Sequence, residues 1–163
     1  MSRDKKDSWK TISSKIVHKN PWFLIQKDKT KRPDGSEGFY YLLKRKGPFV
    51  VIVAKKKEKT LLVKQYRYAV KEELWEFPMG AEEQGEGLKQ AAVREFKEEA
   101  GLEAEDWIKI GSFYVGPGHT DQQGTVFLAE GVKRITGKVF SGEEGEIISE
   151  VKWVSFKDLE EMI

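Results

Sequence analysis

The sequence predicts an α+β fold in which a mixed β-sheet packs against helices. Three observations indicate this class: many short apolar or β-branched segments between turn residues, one central helical segment at 88–100, and a second helical segment at the C-terminal end. A length of 163 residues suffices for one domain with a full hydrophobic core. We therefore expect a polar tail over residues 1–9 and a single domain over residues 10–163.

The N-terminal elements are predicted to form an antiparallel sheet over residues 10–46. Strands are expected at 11–19, 22–29 and 39–44. Asn20-Pro21 is a turn signal between the first two strands, and "RPDG" at 32–35 is a strong hairpin signal before the third.

The remaining elements alternate with charged or glycine-rich turns. Further strands are expected at 48–55, 60–70, 74–78, 107–115, 125–132 and 147–155, and loops at 116–124 and 141–146. Gly101 is a natural C-terminal cap for the helix at 88–100. Ser155 is the expected N-cap of a terminal helix that runs to Ile163.

The composition excludes several classes of protein. The chain has no cysteine, so disulfides and thiolate metal sites are excluded. No apolar run approaches the roughly 20 residues of a membrane span, and the N-terminus lacks the apolar stretch of a signal peptide. We therefore expect a cytoplasmic protein with no membrane partner.

The charge is distributed unevenly along the chain. Residues 1–60 hold 17 basic and 6 acidic residues, whereas residues 61–163 hold 12 and 21. A basic first third can attract a polyanion or a phosphorylated substrate, but lysines on sheet edges also prevent aggregation. The charge distribution alone leaves nucleic acid and a small phosphorylated substrate both open as partners.

The segment "VREFKEEAGL" places glutamates unfavourably. Glu95, Glu98 and Glu99 lie within about 100° of one another around the helix at 88–100, beside its apolar face. Like charges four residues apart repel, and carboxylates near a helix C-terminus oppose its dipole. A divalent cation relieves both penalties, and Mg²⁺ prefers such oxygen ligands together with substrate phosphates. A solvated acidic helix face is the alternative explanation.

The surrounding sequence resembles the Nudix box in every defining position. The segment "GAEEQGEGLKQAAVREFKEEAGL" matches it from Gly80 through Glu86 and Arg94 to Leu102, at nine fixed or class-restricted positions. The resemblance extends over roughly residues 10–163. It implies an α/β/α sandwich with a mixed central sheet and an additional N-terminal antiparallel sheet. It also implies Mg²⁺- or Mn²⁺-dependent hydrolysis of a nucleoside diphosphate linked to another group, with two or more metal ions.

The resemblance assigns roles to individual residues. Glu95, Glu98 and Glu99 would be metal ligands, and Glu86 would support the site. Arg94 would hold the acidic cluster through a salt bridge. Gly80 would lend a backbone carbonyl close to the metal, where a side chain could obstruct it.

The flanking residues resemble the ADP-ribose pyrophosphatase and nucleotide-sugar branch of this family. Glu76 and Pro78 match its E-x-P-x-G entry to the box, and Pro117 lies fifteen residues after Leu102, where that branch has a proline. The N-terminal sheet is similar to one that forms a homodimer in that branch. The implied reaction converts ADP-ribose and water into AMP and ribose 5-phosphate.

Further residues are candidates for binding and proton transfer. Arg67 could contact phosphate, and Trp22 or Phe23 could stack on adenine. Glu76 and Pro117 are further candidates for substrate binding. The resemblance implies a small nucleotide-sugar substrate rather than nucleic acid. Glu144 and Glu146 match an E-x-E pattern in a loop and could act as general base. Two alternatives remain open at this stage: a pyrophosphatase that removes damaged nucleoside triphosphates, and a nucleotide- or RNA-binding module without catalysis.

Overall fold

The computed structural model describes residues 8–135 and 147–162. These residues form two compact units. The first contains residues 8–46 and 114–122, and the second contains the other described residues.

The first unit is built on a three-stranded antiparallel sheet in the order β1-β2-β3. The strands are β1 (Lys10–Lys19), β2 (Phe23–Lys31) and β3 (Glu37–Arg45). The Asn20 side chain shapes the first turn by accepting hydrogen bonds from the N–H groups of Trp22 and Phe23 at 2.9 and 2.8 Å. Gly35 closes the second turn with a φ of +86°, which a glycine adopts without strain.

The segment 114–122 is joined to β3 by several hydrogen bonds. The Leu43 N–H donates to the His119 carbonyl at 2.8 Å, and the Tyr40 hydroxyl donates to the Gly118 carbonyl at 2.5 Å. Lys44 forms a salt bridge with Asp121 at 3.2 Å. Residues about 75 positions apart in the sequence are therefore held together within this unit.

The second unit contains a mixed sheet and a small two-stranded sheet. Its strands are β4 (Phe49–Lys56), β5 (Lys59–Arg67), β6 (Glu72–Glu76), β7 (Met79–Ala81), β8 (Leu102–Glu103), β9 (Asp106–Tyr114), β10 (Gln123–Glu130), β11 (Lys133–Arg134) and β12 (Ile148–Ser155). The main order is β12-β5-β4-β10-β9, with β6 paired to β5 and β7 paired to β4. The β10–β4 pair is parallel, so the sheet is mixed. Strands β8 and β11 form the second sheet.

Helix α1 (Leu88–Ala100) packs against the mixed sheet, and a short helix, α2 (Phe156–Glu161), follows β12. Ala91, Ala92 and Phe96 of α1 lie in the same buried cluster as alternating residues of β4, among them Val50 and Ile52. The cluster forms because every second β4 residue faces α1. Gly101 ends α1 with a φ of +63°, as predicted for its cap.

The structure confirms the predicted α+β class with an additional N-terminal antiparallel sheet. Some bounds differ from the prediction. Strand β5 ends at Arg67 rather than at residue 70, because residues 68–71 form the turn into β6. Strand β10 starts at Gln123, inside the predicted loop, and α2 ends at Glu161. The predicted loop at 141–146 lies outside the described residues.

No helix in the described ranges is both long enough and apolar enough to cross a membrane.

Candidate active site

The candidate site is formed by α1, strand β7 and the turn at 83–86 that precedes the helix. Strand β7 pairs with β4, which places Gly80 opposite Val50 and next to the helix. The turn closes through a hydrogen bond from the Glu86 N–H to the Glu83 carbonyl at 3.1 Å. The second unit therefore brings all five predicted metal-site residues, Gly80, Glu86, Glu95, Glu98 and Glu99, into one region.

Arg94 is at the centre of the acidic group. Its guanidinium donates to Glu86 at 3.1 Å, to Glu95 at 2.8 Å and to Glu98 at 3.0 Å. It also donates to the Ala81 carbonyl at 2.9 Å. From the sequence, only the contact with Glu98 is expected, because Arg94 and Glu98 are four positions apart on the helix. The other contacts require the turn and β7, so they do not follow from the helical pattern.

These contacts shift the pKa values of Glu86 and Arg94. Hydrogen bonding from Arg94 holds the pKa of Glu86 below its ordinary value. Burial acting alone lowers the pKa of Arg94, but the hydrogen bonds and charges of Glu86, Glu95 and Glu98 outweigh burial and raise it. The Arg94 cation and the Glu86 carboxylate therefore stabilise each other in the charged state.

Glu95 and Glu99 are buried, with only 7% and 5% of their surface exposed. Glutamates are almost never buried to this degree unless their charge is compensated. One Glu99 oxygen accepts a hydrogen bond from the Met79 N–H at 2.8 Å, across from the helix to β7. Almost every residue has a backbone N–H, so the sequence does not indicate which of them bonds to Glu99.

Gly80 lies directly against the Glu95 carboxylate. A Cβ atom at position 80 would lie 1.9 Å from Glu95 Oε1, which is far inside van der Waals contact. The absence of a side chain at Gly80 therefore leaves the space that the carboxylate occupies. This contact explains why this position needs glycine.

The donor set fits a hard divalent cation. Four carboxylates and the backbone carbonyl of Gly80 offer oxygen ligands only, as Mg²⁺ and Mn²⁺ prefer. In the described ranges, however, no three acidic or histidine side chains converge on one point as metal ligands do. Instead, the carboxylates of Glu86, Glu95 and Glu98 accept hydrogen bonds from Arg94. The Glu99 carboxylate accepts one from the Met79 N–H.

A cavity of about 550 Å³ lies beside Glu99 at the C-terminal end of α1. Lys56, Arg134 and Trp153 contribute to its lining. The Lys56 ammonium lies 5.9 Å from the centre of a Trp153 ring. The volume is within the range of small-molecule sites. The lining carries three basic side chains, Lys56, Lys133 and Arg134, and two carboxylates, Glu99 and Glu150.

Arg67 and Glu76, two of the predicted substrate-binding residues, contact each other across β5 and β6. The guanidinium donates to both carboxylate oxygens, with Arg67 Nε 2.9 Å from Glu76 Oε1 and Nη2 2.5 Å from Oε2. Glu76 therefore fixes the orientation of Arg67. The sequence gives no sign of this pair, because the two residues are nine positions apart and even the strand register sets Arg67 opposite Glu72 and Glu76 opposite Val63.

The other predicted substrate-binding residues, Trp22, Phe23 and Pro117, belong to the first unit. Trp22 is 76% exposed at the β1–β2 turn, and the Phe23 ring lies 5.7 Å from that of His18. Pro117 lies in the segment hydrogen-bonded to β3. Glu144 and Glu146 lie outside the described residues.

Comparison with known proteins identifies the family. A family model described as the NUDIX domain matches residues 43–163, which include the whole site. This chain belongs to the Nudix family. A second model, the nucleoside diphosphate sugar hydrolase N-terminal domain, matches residues 9–43.

Curated relatives of this Nudix chain are similar over most of its length. An ADP-ribose pyrophosphatase of Mycobacterium tuberculosis is 28% identical over 85% of this chain and 68% of its own length. An ADP-ribose pyrophosphatase of Bacillus subtilis is 31% identical over 74% and 65%. A methanol dehydrogenase activator of Bacillus methanolicus is 29% identical over 77% and 68%. The chain thus spans about two thirds of the length of these relatives.

A solved structure confirms the fold. The crystal structure of an ADP compounds hydrolase superposes on this Nudix chain with a TM-score of 0.82 at 20% identity. The match covers 94% of this chain and 83% of that one.

Proposed function

We propose that this Nudix hydrolase cleaves the diphosphate bond of ADP-ribose or a related nucleotide sugar, giving a nucleoside monophosphate and a sugar phosphate. The observation that carries the proposal is the buried pair Glu95 and Glu99, fixed beside Gly80 and Met79 within a group of four carboxylates. Two relatives with the name ADP-ribose pyrophosphatase support this choice of substrate.

Glu86, Glu95, Glu98, Glu99 and the Gly80 carbonyl would hold Mg²⁺ or Mn²⁺, with two or more ions in the site. When bound, such ions neutralise the diphosphate charge and lower the pKa of the attacking water. Arg94 holds the carboxylates of Glu86, Glu95 and Glu98 close together. The cavity beside Glu99, with Lys56 and Arg134, would accept an anionic part of the substrate.

The reaction needs one water molecule and one base. The water oxygen forms a bond to one phosphorus, the bridging P–O bond breaks, and the sugar phosphate leaves. Glu144 or Glu146 is our candidate to take the proton from water. Arg67, oriented by Glu76, is our candidate for a phosphate contact. Adenine contacts by Trp22 or Phe23, and a role for Pro117 in selecting substrate, stay predictions.

A turnover panel tests the substrate class. The chain is incubated with ADP-ribose, GDP-mannose or oxidised dGTP, each with Mg²⁺, Mn²⁺ or EDTA, and the products are separated by ion exchange. We expect AMP and ribose 5-phosphate from ADP-ribose and no product with EDTA. Preferential cleavage of oxidised dGTP would favour the triphosphate pyrophosphatase. Binding of nucleotide without turnover would favour the non-catalytic module.

The variant Glu99→Gln tests the site itself. Glutamine can still accept the Met79 N–H bond but lacks the charge, so the variant should fold and lose at least about 100-fold in turnover. Glu103→Gln, an exposed position just beyond the helix, is the matched control. Full activity of Glu99→Gln would refute the metal assignment.

We also propose that the N-terminal sheet mediates a homodimer. Strand β1 is an edge strand with every residue exposed, including Ile12, Ile16 and Val17 at 48%, 57% and 46%. An edge with exposed apolar side chains is a site for pairing with another chain.

A further inference from the structure

One face of the N-terminal sheet concentrates basic side chains. Directly paired residues of an antiparallel sheet project from the same face, so the register determines which side chains lie together. At its paired positions this face carries Lys10, Lys15, Lys27, Lys29, Lys31 and Arg45, and a single carboxylate, Glu37. We call it the basic face. Glu37 forms a salt bridge with Lys29 at 2.6 Å and compensates the charge of that lysine. The other five basic side chains leave the face with a strong net positive charge.

Two exposed aromatic rings lie among these lysines. Phe39 and Tyr41 are paired with Lys29 and Lys27, and they are 58% and 52% exposed. The Lys27 ammonium lies 3.9 Å from the centre of the Phe39 ring and 5.4 Å from that of Tyr41. These cation–π contacts hold the ammonium in place between the rings. More than half of each ring still faces solvent.

The opposite face of the same sheet has a different character. Its paired positions include Ser14, Asp28 and Tyr40, and Asp28 and Thr30 are buried. Lys19 and Lys44 lie at one end of this face, and Lys44 is paired with Asp121. Among the paired strand positions, most of the basic side chains and the exposed Phe39 and Tyr41 residues therefore lie on one side of the sheet.

We propose that the basic face binds a single-stranded polynucleotide. Its lysines match a row of phosphates, and aromatic rings on an exposed sheet supply surfaces on which unpaired bases stack. A nine-residue strand spans about 30 Å, enough for several nucleotides. Duplex DNA hides its bases, and polyphosphate has none, so neither uses the rings. Like charge opposes packing of two basic faces against each other, whereas the proposed homodimer pairs through the β1 edge. This proposal is independent of the hydrolase activity.

Fluorescence anisotropy with a fluorescein-labelled (dT)12 oligonucleotide tests the proposal on the full chain. We expect binding that weakens with salt, with a log–log slope of about −0.7 for each phosphate neutralised. The double variant Lys15→Glu/Lys27→Glu should bind at least about tenfold more weakly with a shallower slope. Lys19→Glu, on the same strand but the opposite face, is the matched control and should differ little.

The variant Phe39→Ala/Tyr41→Ala separates stacking from charge. It should weaken (dT)12 binding by about tenfold and leave the affinity for inorganic polyphosphate unchanged. Circular dichroism checks that each variant keeps its fold. Equal losses for Lys19→Glu and Lys15→Glu/Lys27→Glu would overturn the assignment to this face. Binding of duplex DNA, polyphosphate or anionic vesicles as tightly as (dT)12 would overturn the assignment to a single strand.

Discussion

Arg94 compensates the charge of the acidic residues around it. The sequence indicates a helix with repelling carboxylates, and the structure shows a guanidinium that contacts three of them and the Ala81 carbonyl. Removing one partner from such a partly buried group leaves charge uncompensated, which costs more than an exposed ion pair contributes. Arg94 thus contributes to the stability of the site as well as to its arrangement.

Gly80 provides a residue-scale prediction. In Gly80→Ala the new Cβ would overlap Glu95 Oε1, so the Glu95 carboxylate must move. Displacement of a catalytic group by about 1 Å costs on the order of 100-fold in rate, and we expect a loss of this size in the turnover assay.

Gly111→Ala is the control for this variant. A Cβ at position 111 meets nothing within 4 Å, so the same chemical change there should leave turnover within about twofold of the unmodified chain. If Gly80→Ala and Gly111→Ala were equally active, the close contact with Glu95 would have no functional role.

At the scale of elements, the long strands and α1 were predictable because each carries its own pattern. The β-branched run of β4 and the amphipathic spacing of α1 are local signals. Strands β7, β8 and β11 have two or three residues each and exist only through partners elsewhere in the chain. Since β7 holds Gly80 and Met79, one of the elements that were hardest to predict contributes two residues to the site.

The N-terminal sheet contains a buried carboxylate whose ionisation is linked to stability. Hydrogen bonds from Ser14 and Gln26 hold the pKa of Asp28 below its ordinary value. The unfolded chain therefore binds a proton more readily, and the contribution of Asp28 is present above about pH 4 and lost as pH falls through its folded pKa.

Asp28→Asn should reveal this linkage in urea unfolding followed by tryptophan fluorescence. We expect a loss of about 1–2 kcal/mol in unfolding free energy at pH 7, and a smaller loss near pH 3. Asp106→Asn, at an exposed position of β9, is the matched control and should change the unfolding free energy by less than about 0.5 kcal/mol. A constant difference between wild type and Asp28→Asn at all pH values would contradict the linkage.

On the scale of the whole molecule, the structure shows where many of the basic residues of the first third lie. The excess of basic residues in the first third is partly gathered on the basic face, and buried acidic residues line α1. Composition showed the asymmetry but not the face, because a one-residue change of register would move every side chain to the other side.

The oligomeric state tests the role of β1. Ile16→Glu places a charge on the exposed edge strand and should convert a dimer into a monomer in sedimentation equilibrium. Ile110→Glu introduces the same charge at an equally exposed isoleucine of β9, at 58%, and should stay dimeric. A monomeric wild-type chain, or a dimer that survives Ile16→Glu, would contradict the proposed interface.

The hydrogen bonds between β3 and residues 118–120 also constrain the order in which the chain folds. During synthesis the three N-terminal strands leave the ribosome early, yet the partners of Tyr40 and Leu43 emerge roughly 75 residues later. Contacts of such long sequence separation form slowly. The N-terminal sheet is therefore completed only after residues 118–120 have been made, and the lysines on its open strands discourage aggregation in the meantime.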